Sequence, residues 1–264
     1  MLEDHAGYVL RKALLGQGIT PAEAAARAGV SLETVERFFA GGFDRDAARA
    51  LARVLELDEE AFAAHADYLP KPVRIDGVHQ LDLPFGEDQV NAWLLRKGDT
   101  VVLVDAGATA ESLLEILAEQ VPCDPTALLI THGHHDHVAG LGALGERGVP
   151  AMGARIDGAA ELRPDESHQI GELTFRTCDL SGHYAPALGF LFDGFSQPVF
   201  AVGDAIFAGS IGGCKTPEIY RMALRTILDA CRDLPDETVI LPGHGPATTL
   251  GEERRSNPFL VGRV

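Results

Sequence analysis

Hydrophobic positions along this chain change period once, near residue 70, and the change divides it. Before that point apolar residues recur at helical spacing between short punctuation marks. Thr20-Pro21-Ala22-Glu23 is a capping box with proline at the first helical position, and it predicts a helix running to Ala28. Gly29 breaks that helix, and Ser31 caps a second, Leu32 to Ala40, ended by Gly41-Gly42. Asp44 and Asp58 predict caps for two more, Arg45 to Leu55 and Glu59 to Asp67. In Tyr68-Leu69-Pro70-Lys71-Pro72 the prolines end the helix and favour an extended link. Beyond it, Val73–Leu83, Val90–Arg96 and Thr100–Val104 read as strands, the last two joined by a tight turn at Lys97-Gly98-Asp99. A helix from about Ala110 to Glu119 and the apolar strand Ala127–Ile130 follow, then short helices and strands alternate to the end. The pattern is α/β, with an all-helical domain over residues 1–69 and a mixed domain over residues 70–264.

Within the helical domain, Ala24, Ala28, Val30, Val35 and Phe38 fall where two helices joined by a tight turn would pack together. This spacing, over residues 7 to 66, resembles the Cro/repressor type of helix-turn-helix domain. The charges do not follow the resemblance. Residues 1–70 hold seven basic side chains against twelve acidic ones, and the helix that would enter the major groove offers Glu33, Thr34, Glu36 and Arg37. Groove-reading helices need several cationic or amide side chains to meet phosphates and base edges. The expectation is a small helical module used for homodimerisation or for covering the larger domain, with no nucleic acid as partner. A net charge of −17 argues the same way for the whole chain, and also against an anionic membrane surface. No apolar segment approaches bilayer length, and no signal peptide is visible in the charged first thirty residues. Cys123, Cys178, Cys214 and Cys231 lie far apart without a C-x-x-C pair, so reduced thiols in a cytoplasmic protein are the simplest account.

The densest chemistry lies directly after the strand Ala127–Ile130, in Thr131-His132-Gly133-His134-His135-Asp136-His137-Val138-Ala139-Gly140. Val138 to Leu144 reads as the start of a helix, so four histidines and an aspartate occupy the turn leaving a strand. Imidazole and carboxylate are the ligand set for zinc, iron or manganese. One loop cannot complete such a site, and matching residues recur downstream. His183 follows the strand-like Leu173–Cys178, Asp204 follows Val199–Val202, and His244 follows Thr238–Leu241, each beside a glycine that lets the backbone turn tightly.

The set T-H-x-H-x-D-H at Thr131–His137, then His183, Asp204 and His244, resembles the metallo-β-lactamase superfamily. The resemblance implies a four-layer αββα sandwich with two metals at one edge. His132, His134 and His183 would bind the first metal, Asp136, His137 and His244 the second, and Asp204 would bridge them. His135 sits at the variable position of the motif and has no assigned role. The implied chemistry is metal-assisted hydrolysis by a bridging hydroxide that Asp136 helps to orient, with zinc the leading metal and iron or manganese accepting the same ligands.

Aspartate at position 204, where antibiotic-hydrolysing lactamases commonly have cysteine, is typical of glyoxalase II and its relatives. Gly203–Gly212 looks like the Asp-ligand segment of that group. So does Leu241–Thr249 with Gly251–Leu260 after it, which points to the shorter bacterial branch. The implied substrate is a thioester such as S-lactoylglutathione. Gly213-Cys214-Lys215 and Tyr184-Ala185-Pro186-Ala187 depart from the usual loop sequences, which leaves a lactone or phosphodiester as the alternative. Lys215, Tyr220, Arg221 and Arg254 are candidate contacts for an anionic substrate, Lys215 foremost. A DNA-binding regulator with a ligand-sensing hydrolase domain is a further reading, disfavoured by the complete ligand set and the acidic helix.

Overall fold

The computed structural model of the chain describes residues 2–121 and 123–264. Its first third is helical: α1 (Ala6–Gln17), α2 (Pro21–Ala28), α3 (Leu32–Phe39), α4 (Arg45–Val54), α5 (Glu59–Ala64) and a 3₁₀ turn at His65–Asp67. The expected caps are in place. Thr20 Oγ1 accepts from Glu23 N at 3.2 Å and Glu23 Oε2 accepts from Thr20 N at 2.9 Å, while Ser31, Asp44 and Asp58 each accept from the third residue onward. Helix α1 is not marked in the sequence, because its cap is His5 and glycines interrupt its apolar face. Gly16 is required there: a Cβ at this position would lie 2.5 Å from the Tyr220 ring, where α1 crosses a later helix.

Strands β1 (Val78–Phe85), β2 (Asp88–Lys97), β3 (Thr100–Val104), β4 (Ala127–Ile130), β5 (Ala151–Gly153) and β6 (Ala160–Glu161) form one sheet in chain order. β1 starts five residues later than its apolar pattern predicts. Val73 and Ile75 pack against the core without pairing, since the prolines before them and the turn at Gly77 keep the backbone off the ladder. Helices α6 (Ala110–Gln120), α7 (His135–Val138) and α8 (Leu141–Glu146) interrupt this sheet, so the single helix expected from Val138 is two short ones meeting at Gly140. The second sheet takes β7 (Ser167–Ile170), β8 (Leu173–Asp179), β9 (Leu188–Asp193) and β10 (Val199–Gly203). A small hairpin, β11 (Ile206–Phe207) and β12 (Ser210–Ile211), then branches off before α9 (Pro217–Cys231). β13 (Val239–Pro242) and β14 (Thr248–Thr249) complete the sheet in the order β14-β13-β10-β9-β8-β7, and α10 (Leu250–Ser256) follows.

Strand alternation sorts the apolar residues into layers. Trp93, Leu95, Val102 and Val104 face inward to meet Phe175, Phe190, Phe192, Val199 and Leu241 of the second sheet. Their neighbours Leu94, Val101 and Leu103 face outward under Leu113 and Leu117 of α6. Phe200, Val202 and Ile240 face the other way, under Ala223 and Ile227 of α9. The fold is a helix–sheet–sheet–helix sandwich, as expected.

The helical domain belongs to the outer layer of that sandwich. Val9, Leu10, Val35, Phe38, Leu51 and Phe62 share one continuous buried cluster with α9 and the second sheet. The link from Tyr68 is tied down by Glu253, which is fully buried with four donors. Tyr68 OH and Thr248 Oγ1 reach Oε1 at 2.9 and 2.8 Å, and Gly209 N and Asn257 Nδ2 reach Oε2 at 2.9 and 2.8 Å. Burial pushes this carboxyl up to about 7 against the pull of those donors. Glu253→Ala removes the acceptor of four donors, most of them buried, so it should cost about 3 kcal/mol in urea unfolding. Leu69→Ala, at a side chain on the exposed link, should change stability by less than about 0.5 kcal/mol. Equal midpoints for the two variants would contradict this role for Glu253.

Candidate metal centre

Parallel pairing decides where the ligand-type residues gather. β3 and β4 run parallel; β8, β10 and β13 also share one direction, since β9 lies antiparallel to β8 and β10 while β13 pairs parallel with β10. Asp105 leaves β3, the His-rich turn leaves β4, His183 lies beyond β8, Asp204 leaves β10 and His244 leaves β13. These carboxyl ends meet at one edge of the sandwich.

His132, His134, His183 and Asp204 form one group there and Asp136, His137 and His244 a second; within each, the donor atoms lie within 4.8 Å of one another. His134 Nδ1 stands 3.0 Å from His132 Nε2 and 3.1 Å from His183 Nε2. His244 Nε2 stands 3.2 Å from Asp136 Oδ2, and His137 Nε2 is 3.6 Å from the same oxygen. Asp204 faces both groups, 3.5 Å from His183 Nε2, 3.3 Å from His137 Nε2 and 3.7 Å from His244 Nε2. All seven residues singled out in the sequence are brought together, with Asp204, the implied bridge, grouped with His132, His134 and His183 and also facing His137 and His244. His135 is exposed on the outer side of the turn.

The outer faces of the imidazoles explain why the inner nitrogens are bare. His137 Nδ1–H donates to Asp105 Oδ2 at 2.8 Å, His183 Nδ1–H to Gly213 O at 2.8 Å, and His244 Nδ1–H to Gln89 O at 2.9 Å. In the unprotonated ring each bond fixes the tautomer that leaves Nε2 as a lone-pair donor pointing inward. His137 Nε2 and Asp204 Oδ1 are buried 3.3 Å apart, and neither makes a well-formed hydrogen bond. Orphaned buried atoms of this kind are costly unless something accepts their lone pairs. A divalent ion in each group would do so, and the N/O donor set fits zinc, iron or manganese. Gly243 is required by the same crowding, because a Cβ there would lie 2.2 Å from Asp204 Oδ1 and 2.6 Å from His137 Cε1.

Two supporting residues are not singled out in the sequence. Asp105 has a left-handed backbone (φ 63°), accepts from Thr131 N at 2.8 Å and from Thr131 Oγ1 at 2.9 Å, and orients His137. Its signal was the one that marked the ligands, a polar residue after an apolar strand with glycine nearby. Asn91 in β2 carries no such signal. Its Nδ2 donates to Pro242 O at 3.0 Å and Gly245 O at 2.8 Å, pinning the His244 turn from the opposite sheet. Among the candidate substrate contacts, Tyr220 is buried against Phe259, and Arg254 is bound to Asp236 and to the carbonyls of Cys231 and Leu234. Both are structural anchors. Arg221 pairs with Glu218 on the exposed face of α9, and Lys215 is exposed on the loop after β12.

Electrostatics divide the imidazoles into two kinds. Burial drives His132 down to about 2, with His137 adding to the fall, and burial also lowers His134 beside His183. For His137 and His244 burial opposes the charge and loses. Asp204 and Asp105 hold His137 well above the ordinary range, and a hydrogen bond to Asp136, helped by the charge of Asp204, lifts His244 to about 9. Burial would raise Asp204 and Asp136, but His137 holds the first low and the His244 hydrogen bond the second.

A two-sheet α/β sandwich with paired His/Asp groups at one edge is the frame of a metal-dependent hydrolase. A family model described as metallo-beta-lactamase superfamily matches residues 85–190. The hydroxyacylglutathione hydrolase GloC of Haemophilus influenzae is 30% identical over 60% of this chain and 86% of its own length. BLEG-1, a B3 metallo-beta-lactamase, is 28% identical with a TM-score of 0.58 over 70% of this chain and 100% of its own. TTHA1623, solved in a di-iron-bound form, is 30% identical with a TM-score of 0.53 over 68% of this chain and 100% of its own. The chain belongs to the metallo-β-lactamase superfamily.

The raised imidazoles predict proton release on metal uptake. An ordinary imidazole titrates near 6.5, so His244 at about 9 stabilises the metal-free fold fully below 6.5 and loses that contribution as pH rises through 9. A ligand nitrogen must be unprotonated, so zinc added to metal-free protein at pH 7.5 in weak buffer should release about one to two protons per chain. The His244→Ala variant should release fewer. Uptake without proton release would contradict the assignment of His137 and His244.

Proposed function

We propose that this chain is a dinuclear metal-dependent hydrolase acting on a thioester of the hydroxyacylglutathione type. The observation that carries the reading is the convergence of seven donors on two adjoining groups with Asp204 facing both. His132, His134 and His183 would hold one ion, Asp136, His137 and His244 the other, and Asp204 would lie between. Zinc is the expected metal, with iron or manganese compatible with the same donors. The di-iron form of TTHA1623 supports a two-ion site, and the likeness to GloC supports a thioester.

When bound, two such ions supply a water acidic enough to lose its proton near neutral pH and an electrophilic hold on the carbonyl oxygen. The chain supplies the rest. Asp136, close to both His137 and His244, is placed to orient the attacking water and to accept its proton. Asp105 keeps the His137 ring turned so that its Nε2 faces the centre. A cavity of about 640 Å³ opens beside the motif, lined by Gly133, Val138, Leu141, Arg155, Ile156 and Tyr184. The Tyr184 ring packs 4.8 Å from that of His134 and forms the wall between this cavity and the centre. Arg155, which also stands 3.7 Å from Glu161, is the cation lining this cavity for a substrate carboxylate, with Lys215 a second candidate on the loop near His183.

The helical domain is read as a cover for the hydrolase and not as a nucleic-acid reader. Four of its seven basic residues are engaged with carboxylates: Lys12 with Asp4, Arg45 with Asp67, Arg49 with Glu60 and Arg53 with Glu59. No described helix is long and apolar enough to cross a membrane. The four cysteines are unpaired, which supports a reducing, cytoplasmic setting.

Rates on S-lactoylglutathione, a simple acyl thioester, an acyl-homoserine lactone, a phosphodiester and a β-lactam test the reading. The thioesters should turn over fastest. Asp204→Ala and His244→Ala should each lower that rate by at least ~100-fold, since a ligand counts for more than its supporting hydrogen bond. Full thioester turnover by Asp204→Ala would contradict the dinuclear mechanism, and faster lactone, phosphodiester or β-lactam turnover would contradict the substrate.

A further inference from the structure

Between Asp204 and Gly213 the chain makes the β11–β12 hairpin and returns to the centre, where Gly213 O receives the His183 Nδ1 proton. This segment is held from outside by the helical domain at three points. His65, buried and kept neutral by that burial, faces Gly209 O with Nε2 at 3.2 Å. Tyr68 reaches Gly209 N through Glu253. Lys12 of α1 donates to Ile211 O at 2.9 Å, pairs with the buried Asp4, and lies 4.8 Å from the centre of the Phe207 ring. Phe207 in turn packs edge-on against His244 with ring centres 6.0 Å apart, and the Lys12 stem borders Gly213.

Lys12 is an unusual group to find here. Its side chain is only 17% exposed, and burying an ammonium is costly unless its donors are used. They are used on a carboxylate of its own domain and on a backbone carbonyl of the hydrolase. A helix that merely covered the sheet would need only its apolar face. We infer that Lys12 is a positioning residue: it holds the Ile211–Gly213 strand end so that Gly213 O fixes the His183 ring, and thereby sets the metal affinity of the group formed by His132, His134, His183 and Asp204. The inference rests on the metal-centre reading above and is independent of the substrate. It makes the helical domain part of the centre's frame.

The test avoids leaving a buried charge unpaired by replacing both partners, Lys12→Met with Asp4→Asn. Leu51→Ala is the control, because Leu51 is buried in the helical domain and its side chain makes none of the hydrogen bonds that hold the segment. Zinc affinity is read by competition against a chromophoric chelator. The His183 ring is read from its slowly exchanging Nδ1–H resonance in metal-free protein, assigned with a His183→Gln variant. The double variant should bind one of two ions about 10–100-fold more weakly and lose the His183 Nδ1–H signal. Leu51→Ala should lower stability while keeping both affinities and the signal. Wild-type affinities and signal in the double variant would overturn the inference, as would an equal loss in Leu51→Ala. A wild-type chain that binds no zinc would overturn the parent reading, and the ring resonance would still decide whether Lys12 orients His183.

Discussion

Five imidazoles and two carboxylates crowded at one sheet edge pose an electrostatic problem that governs the rest of this structure. Donor atoms about 3 Å apart cannot all find protons to share. The fold meets the problem from outside: Asp105, Gly213 O and Gln89 O take the outward protons and fix which nitrogens face in. What remains inside is a set of nitrogens and oxygens with too few protons between them, His137 Nε2 and Asp204 Oδ1 among them buried 3.3 Å apart without a well-formed hydrogen bond. Such a centre carries an unfavourable desolvation that bound cations would offset. The same imbalance lifts His137 and His244 while depressing His132, so proton and metal compete for one half of the centre.

Holding that arrangement requires rigid loops, and each is braced by a different layer. The His-rich turn is fixed by Asp105 from the neighbouring strand. The His244 turn is fixed across the sandwich by Asn91 and by Trp93 Nε1, which donates to Pro242 O at 2.8 Å. The hairpin between Asp204 and Gly213 rests on the second sheet through Ile206 and Ile211 and on α10, whose Asn257 Nδ2 donates to Ser210 O at 2.8 Å, and the helical domain adds His65, Lys12 and Tyr68. The helices that carry those braces share one continuous apolar cluster with α9.

Much of this was legible in the chain. Ligand-type residues directly after apolar strands mark His132 to His137, Asp204 and His244, because parallel strands deliver their carboxyl ends to one place. The caps Thr20, Ser31, Asp44 and Asp58 mark helices for local reasons and sit where they were expected. Contacts between distant segments were not legible. Helix α1 has a weak signal of its own, since Gly16 answers to Tyr220 more than two hundred residues away. Asn91 looks like any polar residue in a strand until its amide is seen to meet Pro242 O. Basic side chains near the C-terminus suggested an anion site, yet Arg254 is committed to Asp236 and two backbone carbonyls. Arg155, which does line the cavity beside the motif, stands in an unremarkable loop.

The central claim is that two cations answer the crowding of lone pairs at this edge. A crystal structure of zinc-loaded protein, phased with anomalous scattering at the zinc edge, tests it most directly. The account predicts two peaks, one among His132, His134 and His183 and one among Asp136, His137 and His244, with Asp204 between them. A single peak, or density held by other residues while these side chains stay bare, would contradict it.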